Sequence, residues 1–462
     1  MDEIFRRGMA AWDALNAFRL ERNRCKRYVF GYQWDDCIEV DGRRMKEKEF
    51  IWEQGQSPLK NNILRRVLRN VVGVYRSGYK VPDVKAASAS GANLRRLRRL
   101  RQRIFTENRM EQLAPRLLEE FLISGLAVVR LGRRPLRDAG AGLTDVRILP
   151  VTPDNFFFHS DGYDPRGLDV DMLGEKHSVS YAALVAMMGR SIDDLRRLEA
   201  IYPMQNATGA PCHVSEIWYK ETNVEAFVHD RDRGCLRKMP LRRALRHEKR
   251  GCRVVCAASS AWRCRWYADD GSLLRDDGLH ATHPYVWKAY PFLDGEVHSY
   301  VNDIIDQQRY VNHLITLYDF IMKSSAKGVL LFPDESMPRD MTLQDIADEW
   351  SKFNGVIPYR AQPGIPLPTQ VSGNAANIGI TELLKIEMQM FEDISGVSPT
   401  LQGKLENTAA SGTLFAQQNQ AAMTSLLDVV SSFHEFIAMV ADCSAALPDA
   451  VDCKNLAVKS IF

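Results

Sequence analysis

The feature that most constrains the fold is an uninterrupted apolar stripe late in the chain. Apolar residues recur there at three- and four-residue spacing: Val297, Tyr300, Val301, Ile304, Ile305, Val311, Ile315, Tyr318 and Met322. The spacing predicts an amphipathic helix that begins near Gly295 and runs to about residue 324. At 1.5 Å per residue it would be roughly 40 Å long, which is long for a domain helix. We expect its apolar face to be covered by another apolar surface.

The bulk composition indicates a globular chain. Its 462 residues are enough for two or three hydrophobic cores or for one elongated unit. Hydrophobic residues make up 45% of the chain and aromatic residues 9%, as in globular proteins. The 61 basic and 58 acidic side chains leave a net charge of only +3, so any basic surface has to be local.

The two ends of the chain carry no pattern typical of secretion or membrane insertion. The opening residues, MDEIFRRGMAAWDALNAF, contain no apolar run, and we therefore expect no secretory signal. The most apolar late segment, Leu426 to Leu447, contains Asp428, Glu435 and Asp442. Charges at such positions predict a helix packed inside a protein and not a membrane span.

The cysteines raise the hypothesis of a zinc site. Nine cysteines without a signal sequence indicate reduced thiols in a cytoplasmic setting. Five of them lie in the same region as His213: Cys212, Cys235, Cys252, Cys256 and Cys264. No C-x₂-C pair occurs among them, so their spacing fits zinc ligands poorly. We expect buried thiols that pack as small hydrophobic groups, and no bound metal.

Several helices are predicted before the middle of the chain. Apolar spacing predicts one helix from residue 2 to about 29 and another from Asn61, where Gly73 suggests close approach of another backbone. Six arginines lie between Arg95 and Arg103, above an apolar helical stripe. Such a helix suits either a nucleic-acid patch or a solvated face paired with acidic neighbours, and we favour the solvated face.

The segment from Cys212 to about Trp287 is predicted to consist of strands and turns. In WRCRWYADDGSLL, aromatic residues and arginines alternate before a DDG turn, which predicts a hairpin. A basic run from Arg231 to Arg253 contains ten Lys or Arg and two acids. We interpret this region as a small β-rich module inserted into a larger α/β body.

No stretch of the chain carries a catalytic motif. The best candidate, ISGVSPTLQGKLENTAASGT from Ile394 to Thr413, lacks the spacing of a P-loop and follows a predicted helix. The chain also contains no G-x-S-x-G elbow and no H-E-x-x-H. Gly396 fits a left-handed helix cap, so the stretch is predicted to connect two helices. We expect neither enzymatic activity nor a cofactor.

The same connector resembles the helix–turn–helix junction of portal proteins of tailed bacteriophages, especially short-tailed ones. Other segments agree, in the family's order. YVFGYQW and PLKNNILRRVLRNVVGVYRS resemble the start of the portal body, and LLEEFLISGLAVVRLG resembles its helix–Gly–strand unit. NDIIDQQRYVNHLITL resembles the long stem helix. The matching positions within these segments are Trp34, Asn61, Gly73, Gly125, Asp306, Gln307 and Asn312. The resemblance covers most of residues 28 to 435, but the arginine-rich insert has no counterpart in it.

The resemblance implies an α+β, portal-like fold with an α/β wing, a long-helix stem, a small β-rich clip and a short α-helical crown, assembled as a ring. The regions would follow in order as wing 1–177, first stem helix 178–209, clip 210–290 with its basic insert at 231–253, long stem helix 291–325, second wing part 326–411 with a tunnel loop at about 355–376, and crown and tail 412–462.

The resemblance also implies the function. A dodecameric ring at one capsid vertex would form the channel for packaging and ejecting double-stranded DNA, and the protein would be assembled in the host cytoplasm. Its partners would be the terminase large subunit, a head–tail adaptor, the major capsid protein and a scaffold, with no membrane involved. The implied sites are channel residues Lys323, Lys327, Arg360 and Gln362, clip residues Arg242, Arg243 and Arg246, and stem packing residues Val301, Ile304, Ile305, Val311 and Ile315.

Two other classes of protein are compatible with the residues alone. One is a nucleic-acid enzyme with DNA on the arginine helix, although carboxylate and metal patterns are missing from the sequence. The other is a monomeric or low-oligomer nucleic-acid-binding protein that uses the same helix for affinity. The mass of the purified protein separates these classes from a ring of several hundred kilodaltons.

Overall fold

Helical and strand patterns in the sequence produce a mixed α+β protein, as predicted. The computed structural model describes residues 2–83, 91–135, 144–159, 164, 167, 169–189, 191–230, 235–250, 252–327, 329–351, 355–371, 379–397 and 426–446. The described residues of 2–26, 67–303 and 426–446 form one compact unit, here called unit 1. Those of 27–66 and 304–397 form unit 2.

The described helices are α1 Glu3–Ala14, α2 Asn16–Phe30, α3 Glu47–Glu53, α4 Ile63–Ser77, α5 Gly91–Glu107, α6 Met110–Ser124, α7 Tyr181–Met188, α8 Ile192–Ile201, α9 Pro203–Thr208, α10 Leu241–Glu248, α11 Asn302–Lys327, α12 Leu343–Ser351, α13 Ile380–Ser395 and α14 Leu427–Ala446. The strands are β1 Cys37–Val40, β2 Arg43–Lys46, β3 Leu126–Pro135, β4 Thr144–Pro150, β5 Phe156–Phe158, β6 Met172–Val179, β7 Cys212–Asp230, β8 Cys235–Met239, β9 Val254–Ala268, β10 Leu273–His280, β11 Tyr285–Ala289, β12 Phe292–Leu293, β13 Glu296–Val297, β14 Val329–Leu331 and β15 Thr369–Val371.

Unit 1 is built on two sheets. A six-stranded sheet has the order β10-β9-β7-β6-β5, with β8 added to β7, and a three-stranded sheet has the order β11-β3-β4. Every pairing in them is antiparallel. Aromatic residues fill the core between them, and Phe158 stacks on Trp287 with ring centroids 4.6 Å apart.

The predicted hairpin is present, but the β-rich segment is not a separate module. Strands β9 and β10 pair around Gly271, which has a φ of +83°. Strand β7 also pairs with β6 along its first half, and β11 pairs with β3. The sheets therefore continue across both boundaries of 210–290. The basic run contains strand β8 and helix α10.

Gly125 ends a helix and precedes a strand, as the resemblance to a helix–Gly–strand unit implied. It ends α6 with a φ of +73°, and a Cβ placed there would lie 1.9 Å from the carbonyl oxygen of His298. Only glycine fits so close an approach of two backbones. The prediction of a similar approach at Gly73 is wrong, because a Cβ there would meet no described heavy atom within 4 Å.

Helix α14 is the one helix of the described residues that is long and apolar enough to cross a membrane by length and composition alone. Its apolar face packs inside unit 1, where Phe433, Phe436, Ile437 and Val440 are fully buried. Phe433 also contacts Tyr75 of α4 and Phe121 of α6 through their rings. This packing is that of a core helix, as its internal charges predicted.

Three predicted helix boundaries are wrong. The N-terminal helix is broken at Leu15, which caps the end of α1 and whose side chain is buried in the core. The single helix expected over 178–209 is three short helices, because Ser191 caps α8 with its own hydroxyl and Pro203 starts α9. The long helix begins at Asn302 and not near Gly295. Asp294 and Gly295 both have positive φ and close a hairpin between β12 and β13.

The loop predicted over about 355–376 also contains regular structure. Strand β15 pairs with β14, which directly follows α11 in the chain. Earlier in the loop, the N–H of Arg360 donates to the carbonyl of Ser336. The loop is therefore held at Arg360 and at β15 within unit 2, while residues 372–376 lie outside the described part.

Candidate functional site

A buried ionic cluster lies in unit 1 where its two sheets meet. Glu216 of β7 is fully buried, and both of its carboxylate oxygens accept hydrogen bonds. Oε1 accepts from Arg130 at 3.0 Å and from the Trp218 indole at 2.8 Å. Oε2 accepts from the Tyr285 hydroxyl at 2.9 Å and lies 2.9 Å from His177 Nε2. The cluster thus joins β3, β6, β7 and β11.

The surroundings shift the pKa values of the cluster in opposite directions. Burial by itself raises the pKa of Glu216, but the hydrogen bond from His177 and the charge of Arg130 outweigh it, and the pKa is lowered from 4.5. Glu175 lies beside them, and burial raises its pKa despite the nearby His177 and Arg130. The ionised form of Glu216 is therefore the anion that balances Arg130.

The same cluster is the candidate metal centre of the described residues. Ligand atoms of Glu175, His177 and Glu216 lie within 4.8 Å of one another. Four donors already occupy the oxygens of Glu216, and the guanidinium of Arg130 supplies the positive charge that a metal ion would bring. The residues therefore fit an ion-paired core better than a metal site. Within the described part of the chain, no cysteine belongs to such a group.

A second polar arrangement, in unit 2, is a ladder along α11. Gln308, Asn312 and Thr316 recur every four residues on one buried face. Gln308 Oε1 accepts the N–H groups of Ile63 and Leu64, both at 3.0 Å. The Asn312 side chain accepts the N–H of Asn61 at 3.0 Å, and the hydroxyl of Thr316 accepts that of Leu59 at 3.2 Å. We call these three side chains the amide ladder.

The amide ladder joins two segments that were recognised separately in the sequence. It bonds the backbone of PLKNN to the helix of NDIIDQQRYVNHLITL, and Asn312 also donates to Gln33 at 2.6 Å. Each backbone N–H that loses its acceptor while buried costs about 1–3 kcal/mol. The ladder also caps the first turn of α4, whose N–H groups have no partners inside the helix. It fixes where the long helix lies within unit 2.

The C-terminal half of α11 exposes apolar side chains. Tyr310, Leu317, Tyr318, Phe320 and Met322 are each between 38% and 50% exposed. A second exposed stripe lies on α13, where Ile386, Met390 and Ile394 recur every four residues. Exposed apolar surface at helical spacing is typical of a face that another protein surface covers.

A cationic surface lies on α10 in unit 1. Arg242, Arg243 and Arg246 are exposed on this helix, and none of them forms an ion pair within the described residues. Ala244 is buried and packs against Ala226 and Val228 of β7. The helix therefore holds Arg242 and Arg246 on the side that faces away from the strands.

Three of the six arginines on helix α5 form ion pairs. Arg98 bonds Asp83 through two nitrogens at 2.7 and 2.9 Å, and Arg103 bonds Glu107 at 2.7 Å. Arg101 is buried and pairs with Asp442 of α14. These partners agree with the interpretation of a solvated face with acidic neighbours.

One comparison with known proteins identifies the family. The model of the P22-like phage portal protein family matches residues 5–447. The chain belongs to this family. No curated protein matches the chain.

Family membership gives the chain a phage portal role. Portal proteins are head–tail connectors of bacteriophages that take part in DNA packaging, and they are components of the virion capsid. The family is structural, and its members are oligomers that interact with capsid, terminase and adaptor proteins. This membership does not favour a monomeric nucleic-acid-binding protein built around α5.

The predicted stem residues lie inside the portal subunit itself. Val301, Ile304, Ile305 and Val311 are buried within the single chain, and Ile315 is half-buried. Their stripe therefore holds α11 to its own chain. The exposed apolar side chains of α11 lie between Tyr310 and Met322.

The predicted channel residues fall into two groups. The side chains of Lys323 and Lys327 lie outside the described residues, although the helix backbone continues to Lys327. Arg360 and Gln362 are exposed in the loop before β15. A hydrogen bond holds the side chain of Gln362, whose amide donates to the carbonyl of Glu335 at 3.0 Å.

Sequence reasoning missed two parts of these sites. Gln308 and Thr316 were not selected, although with Asn312 they form a polar i, i+4, i+8 series inside an apolar helix, which is a readable signal. The basic insert was selected for its charge alone. The leucines at 241 and 245, both exposed, lie at helical spacing among its arginines.

Proposed function

We propose that this portal subunit assembles into a closed ring of about twelve copies at one capsid vertex. Double-stranded DNA would pass through the centre of the ring during packaging and ejection. The family match over residues 5–447 carries the proposal. The exposed apolar halves of α11 and α13 support it, because such surface in an oligomeric family is best covered by neighbouring copies.

The regions of the ring follow the portal arrangement in this proposal. The wing comprises 1–177 and 326–411, and the stem comprises 178–209 and 291–325. The clip is 210–290, and the crown and tail are 412–462. Terminase and the head–tail adaptor would dock on the clip, where Arg242, Arg243 and Arg246 are exposed. The major capsid protein and a scaffold would contact the wing and crown.

The mass of the purified protein tests ring assembly directly. A subunit of 52.5 kDa in a ring of about twelve gives a particle of roughly 600 kDa. Light scattering after size-exclusion chromatography should give that mass, and negative-stain images should show rings with a central hole. A protein that stays monomeric at every concentration, with intact folding by circular dichroism, would contradict the proposal.

The loop at about 355–376 is proposed as the tunnel loop around DNA. Arg360 is the only charged residue between 355 and 371. Each neutralised phosphate adds affinity and salt dependence, so a channel that lets DNA slide should hold few such contacts. In this proposal Arg360 and Gln362, with Lys323 and Lys327 at the end of α11, are the groups nearest the passing phosphates.

Deletion of Pro363–Leu367 tests the tunnel loop. The deletion spares β15 and the anchored Gln362, so ring mass should be unchanged. We expect fewer filled heads or loss of packaged DNA, measured as genome length per particle. Arg360→Gln is the matched control, since it removes the charge and keeps the loop length. Normal packaging and retention with the deletion would show that this loop is not the collar.

A further inference from the structure

Helix α10 has a defined inward and outward side. At 100° per residue, the buried Ala244 lies opposite Arg242 and Arg246, which therefore face away from the strands. Leu241 and Leu245 lie about 60° and 100° around the helix from Ala244, on the flank next to those arginines, and they are 39% and 45% exposed. The accessible surface of α10 thus presents two leucines at i, i+4 along one flank and two arginines at i, i+4 on its outward side.

Arg242 and Arg243 oppose the stability of α10, whereas Arg246 in its last turn is favourably placed with respect to the helix dipole. Arg242 and Arg243 stand in the first turn, where the helix dipole favours negative charge. Arg242 and Arg246 also repel each other, as like charges four residues apart do. Within the described residues no carboxylate pairs with these three arginines. An anionic partner would remove these penalties, so the charge pattern favours binding over helix stability.

A small hydrophobic core fixes α10 against the strands beneath it. Ala244 packs with Ala226 and Val228, and the N–H of Cys252 donates to the carbonyl of His247 at 3.0 Å. The strands beneath α10 are the last residues of β7 and the first residues of β9, which pair with each other, and β7 also pairs with β8. The accessible surface of α10 is therefore presented on an ordered strand platform.

The two leucines distinguish a protein partner from a DNA partner. Phosphate contacts along duplex DNA are made by charged and polar groups and gain nothing from exposed leucines. A protein interface, in contrast, combines an apolar centre with charged groups that guide docking. We propose that α10 is a docking helix for an acidic protein surface with an apolar centre, recognised jointly by Leu241, Leu245, Arg242 and Arg246. This inference rests on the proposed portal function, in which such a partner approaches the clip.

Binding by assembled rings tests the docking helix. The probes are the purified terminase large subunit and head–tail adaptor of the same phage, and a duplex DNA of about 30 base pairs, a length chosen to exceed a typical protein–DNA contact. Leu241→Ala/Leu245→Ala removes the apolar pair and keeps helix propensity, and Arg242→Gln/Arg246→Gln removes the charges. Arg95→Gln/Arg99→Gln on α5 is the matched control, because both arginines are exposed.

We expect each α10 double variant to weaken at least one protein probe by about tenfold or more, with the α5 control unchanged. The arginine variant should act mainly on the association rate and lose its effect at high salt, whereas the leucine variant should raise the dissociation rate. Ring mass is measured for every variant, so failed assembly is recognised separately from failed docking.

Three results would overturn the inference. Unchanged affinity for both proteins would remove α10 from docking. Weaker DNA binding in the arginine variant alone, with no effect of the leucines, would make α10 a phosphate-binding helix. A reduced ring mass in the leucine variant would make it a contact between copies.

Discussion

Glu216→Gln should lower the free energy of unfolding by about 3–5 kcal/mol, because it leaves the charge of Arg130 without its anion in the interior of unit 1. The double variant Glu216→Gln/Arg130→Met should be less destabilised than the sum of the two single variants. Urea unfolding at one subunit concentration measures both, since association between subunits adds to apparent stability. Additive effects would show that the pair is not coupled.

The same substitution should change the response to acid. The folded pKa of Glu216 is lower than its usual value of 4.5, so its ionised form stabilises the fold above that pH. This contribution is lost as the pH falls through the folded pKa. The difference between wild type and Glu216→Gln should therefore narrow as the pH is lowered from neutral to below 4.5. Glu382→Gln is the control, because its exposed pair with Lys385 should contribute little at any pH.

Leu317→Asp/Phe320→Asp should abolish ring assembly while leaving the subunit folded. Both side chains are exposed on the apolar half of α11, so the aspartates meet water in the free subunit. In a ring they would be unpaired charges at every contact between copies, at several kcal/mol each. Light scattering should give monomers with a normal circular dichroism spectrum, and Leu317→Ala/Phe320→Ala should weaken assembly to a smaller extent.

Ile304→Asp provides the contrast on the same helix. Ile304 is fully buried within the chain, so a charge there should unfold the subunit before assembly is reached. A folded monomer from Ile304→Asp would place its contact between copies instead. Rings of normal mass from Leu317→Asp/Phe320→Asp would show that the exposed face of α11 is not a subunit contact.

Local signals predicted much of the fold. Gly125, the DDG turn and the apolar stripe of α11 were readable because each depends on backbone conformation or periodicity within a few residues. Helix boundaries were predicted wrongly where a turn or a cap interrupts the apolar pattern. Examples are the Asp294–Gly295 turn before α11 and the Ser191 cap of α8. Continuation of β7 into the sheet of β6 was not readable, because strand pairing is decided by tertiary packing.

The candidate sites divide in the same way. The basic insert was recognised in the sequence by its charge. Which of its residues face the strands could not be predicted, because helix α10 is short and its arginines hide the apolar periodicity. The Glu216 cluster was invisible in the sequence, since its partners come from positions 130, 177, 218 and 285. Nothing in their local sequence indicates that these residues meet.

The amide ladder also limits when unit 2 can fold during synthesis of the chain. Its hydrogen bonds join Ile63 and Leu64 to Gln308, 245 and 244 positions further along the chain. Ribosomes add about 5–20 residues per second, so the early segment of unit 2 waits roughly 10–50 s for its partner helix to be made. During that interval the N–H groups of Leu59, Asn61 and Leu64 lack the acceptors that the ladder supplies. Unit 2 is therefore completed after translation has passed α11, late in the life of the nascent chain.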